Sequence, residues 1–315
     1  MSIDPNTTAF LFPGQGSQRA GMGHALAKKD SHAAQVFARA DEILGVALSK
    51  LCWEGPADLI NETENAQRGL LTHSVAVLRA IQARYPHLQP ACAAGHSLGE
   101  YSALVAAGAL TFEDALLLVQ ERGLAMKQAG ELNPGEMLAA LGADIAMAEQ
   151  ACLQASQQTG KIVVIANDNC PGQVVISGER EAIAAAAEIL QGAGVRKLIP
   201  LAVTIAGHSP LLNPAQARLN HALSNTPVQH PAFPIIGNVS AAPLETAADI
   251  RTDLSAQLTS RVRWTESMQA MITGGIDTFI ELGPGAVLSS MLKRIDRSVR
   301  SFSIDTTESF SVLDL

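Results

Sequence analysis

The chain has 315 residues, of which 47% are hydrophobic, 17% charged and 4% aromatic, a balance that excludes a disordered chain and allows one large domain or two ordinary ones. A formal net charge of −8 argues against general nucleic-acid binding, which needs a basic surface to meet phosphate. The opening MSIDPNTTAF has no basic segment leading into an apolar run, and the longest apolar stretch, at 104–110, falls well short of the about 20 residues that span a bilayer, so no membrane association is expected. Cys52, Cys92, Cys152 and Cys170 stand far apart without a C-x-x-C pair. They read as reduced, buried thiols of a cytoplasmic protein, with no metal site and no bound cofactor.

Residues 8–12 read as a short buried strand ended by Pro13-Gly14, and helical spacing follows at 33–44 and 70–83. A short apolar run at 91–94 enters Gly95-His96-Ser97-Leu98-Gly99, with a helix predicted at 101–107 and another at 113–129, for which Thr111 is the candidate N-cap. The pattern then changes. Strands at 136–143, 161–166, 173–177 and 195–203 alternate with helices at 145–157 and 179–190, and a turn with Pro171 joins the middle pair of strands. This β-α-β-β-α-β order is that of a ferredoxin-like unit. Helices at 210–223, 250–259, 265–274 and 286–295 and strands at 235–239 and 278–282 complete the chain, while the tail from Ser301 shows little periodicity. The predicted fold class is therefore α/β. A large α/β-hydrolase-like domain (1–130 and 205–315) is interrupted by a ferredoxin-like subdomain at 131–204.

Gly95–Gly99 fits G-x-S-x-G in the strand–turn–helix setting that such a motif requires. A serine on that bend presents its hydroxyl outward, and the next helix offers N–H groups to a developing oxyanion. Ser97 is thus the candidate nucleophile, and it needs a base. Among the histidines, His221 sits in a polar helical stretch and His230 in a loop with three prolines (227–234), while His96 neighbours the serine and should point away from its hydroxyl. His208, in the bend Ala206-Gly207-His208-Ser209-Pro210, is the base by elimination. No acid is clearly placed to orient it, and no H-G-G-G motif is present, so a plain hydrolase fits poorly.

Phe12-Pro13-Gly14-Gln15-Gly16-Ser17-Gln18 together with Gly95-His96-Ser97-Leu98-Gly99-Glu100-Tyr101-Ser102-Ala103 closely resembles the malonyl-CoA:acyl carrier protein transacylases and the acyltransferase domains of polyketide synthases. The resemblance continues through Arg122, Pro171-Gly172-Gln173, His208, Asn238, Gln257, Trp264 and Glu281-Leu282-Gly283-Pro284-Gly285. It implies a ping-pong transfer of malonyl from malonyl-CoA through Ser97 to the pantetheine thiol of an acyl carrier protein. His208 would be the base, oriented by the main-chain carbonyl of Gln257, and the backbone N–H groups of Gln15 and Leu98 would form the oxyanion hole. Arg122 would grip the malonyl carboxylate, a task suited to its planar two-donor fork. Periodicity alone does not separate Arg122 from Glu121, since both have apolar neighbours at helical spacing.

The sequence departs from the commoner pattern at two places. Ala66-Gln67-Arg68-Gly69 stands where many relatives have Thr-Gln-Pro-Ala, and Gly207 where they carry Ser or Phe. Gln67, Gly207 and Asn238 are candidate pocket residues, and the glycine leaves room for a branched acyl group. Carrier proteins of this kind are usually acidic, so Lys293, Arg294, Arg297 and Arg300, with Arg196-Lys197, form a candidate basic patch that also fits a solvated helix face. The rival readings are an acyltransferase of a polyketide or other secondary pathway with a broader acyl substrate, an acyl-thioesterase acting on carrier-bound chains, and a non-catalytic scaffold.

Overall fold

The computed structural model describes residues 3–203 and 205–314. Residue 204, the expected end of the inserted subdomain, and the termini at 1–2 and 315 lie outside the described residues. Ten strands occur among the described residues: β1 (Thr8–Phe12), β2 (Cys92–Gly95), β3 (Glu136–Leu141), β4 (Val163–Cys170), β5 (Gln173–Gly178), β6 (Lys197–Pro200), β7 (Ile235–Ile236), β8 (Pro243–Leu244), β9 (Thr278–Leu282) and β10 (Arg300–Ile304).

One sheet has the order β10-β9-β1-β2-β7-β8, parallel except for β8. All five residues of β1 are buried, as a central parallel strand covered on both faces requires. The long helices Thr63–Arg84 and Phe112–Leu132 pack together over this sheet, and Asn213–Ser224 packs on the second of them. Thr111 caps the second: its hydroxyl accepts the N–H of Asp114.

The second sheet is antiparallel, in the order β4-β5-β3-β6, which is the ferredoxin-like arrangement. Its apolar face (Leu138, Ala140, Ile165, Val174, Ile176) closes against the helices Ile145–Thr159 and Arg180–Gly192 as a core of its own. The unit is nonetheless stitched to the larger body. The N–H of Asp168 donates to Val262 O at 3.0 Å, and that of Val262 donates to Ala166 O at 2.8 Å.

Several expectations shift. The tail, read as aperiodic, contains β10, paired parallel with β9 from Arg300↔Thr278 to Ile304↔Leu282. It escapes pattern reading because Arg-Ser-Phe-Ser-Ile is an edge strand with only its last residue buried. The strand expected at 235–239 stops at Ile236, since the carboxylate of Asp253 captures the N–H groups of Val239 and Ser240 and turns the chain. The strand at 195–203 shrinks to Lys197–Pro200, and that at 161–166 extends through Cys170. Three short helices, His24–Lys29, Leu48–Glu54 and Ala57–Asn61, were not foreseen. Among the described residues no helix is long and apolar enough to cross a membrane.

The loops after β1, β2 and β9 all emerge at one edge of the parallel sheet, the carboxyl edge, where open α/β sheets place their ligands.

Candidate active site

Ser97 joins the end of β2 to the helix Gly99–Ala106 with φ of 51°, a left-handed angle that a residue with a side chain rarely adopts. The flanking glycines permit this bend. A Cβ on Gly95 would lie 1.9 Å from the carbonyl carbon of Gly99, and one on Gly99 would lie 2.0 Å from Phe12 O. No side chain fits between backbones this close. Asn238 braces the bend, its Oδ1 accepting the N–H of Ser97 at 2.6 Å and its Nδ2 donating to Gly95 O at 2.7 Å. It therefore sits behind Ser97 and not in the lining of the pocket, because both ends of its amide are occupied by the bend.

His208 is buried, and the Ser97 hydroxyl donates to its Nε2 at 2.8 Å. Its Nδ1 faces the carbonyl oxygens of Gln257 at 2.9 Å and Ser260 at 3.1 Å. Carbonyls only accept, so Nδ1 carries the proton and Nε2 is left as the acceptor. Burial first, and then the charge of Arg122, hold the ring down to about 3, against the opposing pull of the Gln257 carbonyl. The imidazole is neutral at physiological pH. Ser260 was missed by sequence reading because every residue carries a main-chain oxygen, and the pattern gives no sign of which one will face a histidine.

Arg122 lies on the helix Phe112–Leu132, only 1% exposed. Its Nη1 donates to Gln67 Oε1 at 2.8 Å, and its Nη2 donates to Ser97 Oγ at 3.0 Å and Gln257 Oε1 at 3.1 Å. The guanidinium also lies over the Tyr101 ring, 5.8 Å from its centroid. Every one of these partners is neutral, and burial lowers the pKa of the guanidinium. Glu121, the alternative, points outward to Arg218 at 2.7 Å.

The N–H groups of Gln15 and Leu98 meet no protein acceptor among the described residues. The loop carrying Gln15 lies against the bend, since a Cβ on Gly14 would fall 2.3 Å from His96 O. The Gln15 side chain donates to Thr63 Oγ1 at 3.3 Å and accepts from Gln67 Nε2 at 3.4 Å, which ties the loop to the helix of Gln67. His96 hydrogen-bonds Asn169 of β4 at 2.8 Å and meets Trp264 edge-on at 5.4 Å, turned from the Ser97 hydroxyl as expected.

Ser97, His208 and Arg122 open into a cleft walled also by Met126, Met137 and Asn167. Gly207 lines it, and a Cβ there would lie 3.4 Å from Met137 Sδ. The candidate basic patch is partly committed elsewhere. Arg294 donates to Gln173 Oε1 at 3.0 Å and Pro171 O at 2.8 Å, and Arg300 pairs with Asp277 at 3.5 Å. Glu281 is likewise structural, its carboxylate accepting the N–H groups of Leu288 at 3.0 Å and Ser289 at 2.8 Å.

A serine bonded to a buried neutral imidazole, with unpaired backbone donors nearby and a buried cation at its hydroxyl, has the parts needed to form a serine ester and pass the acyl group on. Fold and site define a serine acyltransferase. Comparison with known proteins agrees: residues 9–309 match the model of the acyl transferase domain. The malonyl CoA-acyl carrier protein transacylase of Bacillus subtilis is 42% identical over 304 residues, covering 96% of this chain and 95% of its own. The crystal structure of a malonyl-CoA:acyl carrier protein transacylase from Xanthomonas oryzae superposes with a TM-score of 0.94 at 41% identity, covering 100% of this chain and 99% of that one. A type II polyketide synthase acyl-carrier protein in complex with its malonyl-transacylase gives a TM-score of 0.94 at 38% identity, covering 97% of this chain and 98% of the matched one. The chain belongs to the acyl transferase domain family, within its malonyl-CoA:acyl carrier protein transacylase branch.

Proposed function

We propose that the chain transfers malonyl from malonyl-CoA to the pantetheine thiol of an acyl carrier protein through a Ser97 ester. One observation carries the substrate class: the buried guanidinium of Arg122 stands 3.0 Å from Ser97 Oγ with only neutral partners. A buried cation without an anion is costly, and a substrate carboxylate arriving beside the nucleophile relieves that cost. An acyl group without a carboxylate does not.

In the first half-reaction His208 Nε2 takes the Ser97 proton as Oγ attacks the thioester carbon. The resulting oxyanion is held by the N–H groups of Gln15 and Leu98, and the imidazolium by the carbonyls of Gln257 and Ser260. The coenzyme A thiolate leaves and takes the proton from His208. In the second half-reaction the carrier's thiol gives its proton to His208 and attacks the ester carbon, and the C–Oγ bond breaks as Ser97 Oγ takes that proton back from His208. Gln67 holds the far side of Arg122. No metal or redox group is required by this cycle. Four buried free thiols suit the reducing cytoplasm, the compartment proposed for the reaction.

Gly207 favours a second, broader reading of the acyl pocket. The wall opposite it is the Met137 thioether, which adapts its rotamers more readily than a branched side chain. An α-methyl group would fit there after a shift of Met137.

Incubation with labelled malonyl-CoA, with and without holo-acyl carrier protein, tests the proposal. Label on the carrier thiol is the expected result. Free malonate would make the protein a thioesterase, and a protein that takes up no label would be a scaffold.

A further inference from the structure

Glu100 stands one turn beyond the nucleophile on the helix Gly99–Ala106 and is fully buried. Its Oε2 accepts from Gln257 Nε2 at 2.7 Å, while Oε1 has no partner among the described residues. Asp253, 4% exposed, lies against it with its own oxygens accepting the N–H groups of Val239 at 3.2 Å and Ser240 at 3.0 Å. Among the described residues neither carboxyl group forms an ion pair with a lysine or arginine.

Two buried carboxyl groups in contact, with no cation between them, do not both ionise. Val239 and Ser240 already supply the Asp253 oxygens with two N–H donors, whereas Glu100 Oε1 has none, so the shared proton is placed on Glu100 Oε1, directed at Asp253. Burial, and then the charge of Asp253, push the Glu100 carboxyl well above the usual carboxylate range. With Oε1 occupied in this way, Oε2 is an acceptor only.

This fixes the Gln257 side chain. Its NH2 group must face Glu100 and Ser97 O, the latter at 3.1 Å, which leaves Oε1 facing Arg122. A flipped amide would set N–H against N–H at the guanidinium and lose a hydrogen bond. We propose that Glu100 is a positioning residue for malonyl recognition, which orients the Gln257 amide so that its oxygen holds Arg122 beside Ser97. Glu100 acts as the uncharged acid, so it does not cancel the charge of Arg122 through the amide and leaves that charge for the substrate. The inference rests on the reading that Arg122 receives the malonyl carboxylate.

The test measures acylation of Ser97 by malonyl-CoA and by acetyl-CoA in the full chain carrying E100A, E100Q or R122A. In E100A the kcat/KM for malonyl should fall about five- to thirtyfold, with acetyl changed less than about threefold. E100Q should restore most of the malonyl preference, because its carbonyl accepts from Gln257 and its N–H donates to Asp253. Infrared difference spectra of wild type against E100Q at pH 7 should show the carbonyl stretch of one protonated carboxylic acid lost. That reading stands even if E100A does not fold. An unchanged malonyl-to-acetyl ratio in folded E100A, a failure of E100Q to restore it, or the absence of the acid band overturns the proposal. Malonyl preference retained in R122A would instead overturn the assignment of Arg122, so the two failures are distinguishable.

Discussion

Replacing Arg122 with methionine separates carboxylate recognition from the chemistry of Ser97. Among the described residues the side chain donates only to neutral groups, Gln67, Met126, Gln257 and Ser97, and its Nε has no partner. Methionine is of similar length, removes a desolvated charge and leaves two amide oxygens short of a donor. These effects oppose one another, so the melting temperature should move by less than about 4 °C. Malonyl-CoA loses a charged hydrogen-bonding partner worth about 1.5–3 kcal/mol, so its kcat/KM relative to acetyl-CoA should fall about 10–150-fold. Acetyl transfer should hold or rise. Arg122 lowers the basicity of His208 and donates to Ser97 Oγ itself, and both effects vanish in the variant. The assay is the initial rate of Ser97 acylation by each thioester, followed by intact mass. An unchanged selectivity ratio, or equal loss with both substrates, would refute the reasoning.

The histidine gives a pH prediction of definite sign. His208 is held at about 3, so it is already the free base from neutrality down to pH 5. Acylation by acetyl-CoA should therefore stay flat over that interval, where a base of ordinary pKa, about 6.5, would lose most of its activity. Gly95→Ala should prevent stable folding, since its methyl would lie 1.9 Å from backbone. Gly207→Ala, whose methyl meets only the flexible Met137 side chain, its sulfur at 3.4 Å and its methyl at 3.8 Å, should change stability by less than about 1 kcal/mol in denaturant titration. Asn238→Ala removes both braces of the bend, and should cost about 1–3 kcal/mol of stability and lower kcat more than it raises KM.

The elbow was readable because its chemistry is local: glycines flank Ser97 at fixed spacing, and the backbone approaches at Gly95 and Gly99 explain why no other residue serves there. The ferredoxin-like unit was readable because its alternating periods change abruptly after the helix Phe112–Leu132. Other parts of the site depend on long-range geometry and leave no local mark. Asn238 lies 141 positions from Ser97, and its amide is spent on the bend and not on substrate. Glu100 has the look of an ordinary charged residue in the first turn of a helix, where acids are common. Only the position of Asp253, across the fold, gives it another character. The strand β10 is hidden for a similar reason, since its partner β9 supplies the burial that its own sequence does not advertise.

The central claim is that Ser97 holds malonyl between two half-reactions. A pulse of malonyl-CoA without carrier, followed by proteolysis and peptide mass mapping, should find one malonyl group on the peptide containing Ser97. A chase with holo-acyl carrier protein should move it to the carrier thiol, and S97A should take up none. Malonyl on another residue, or on the carrier in S97A at the wild-type rate, would contradict the account.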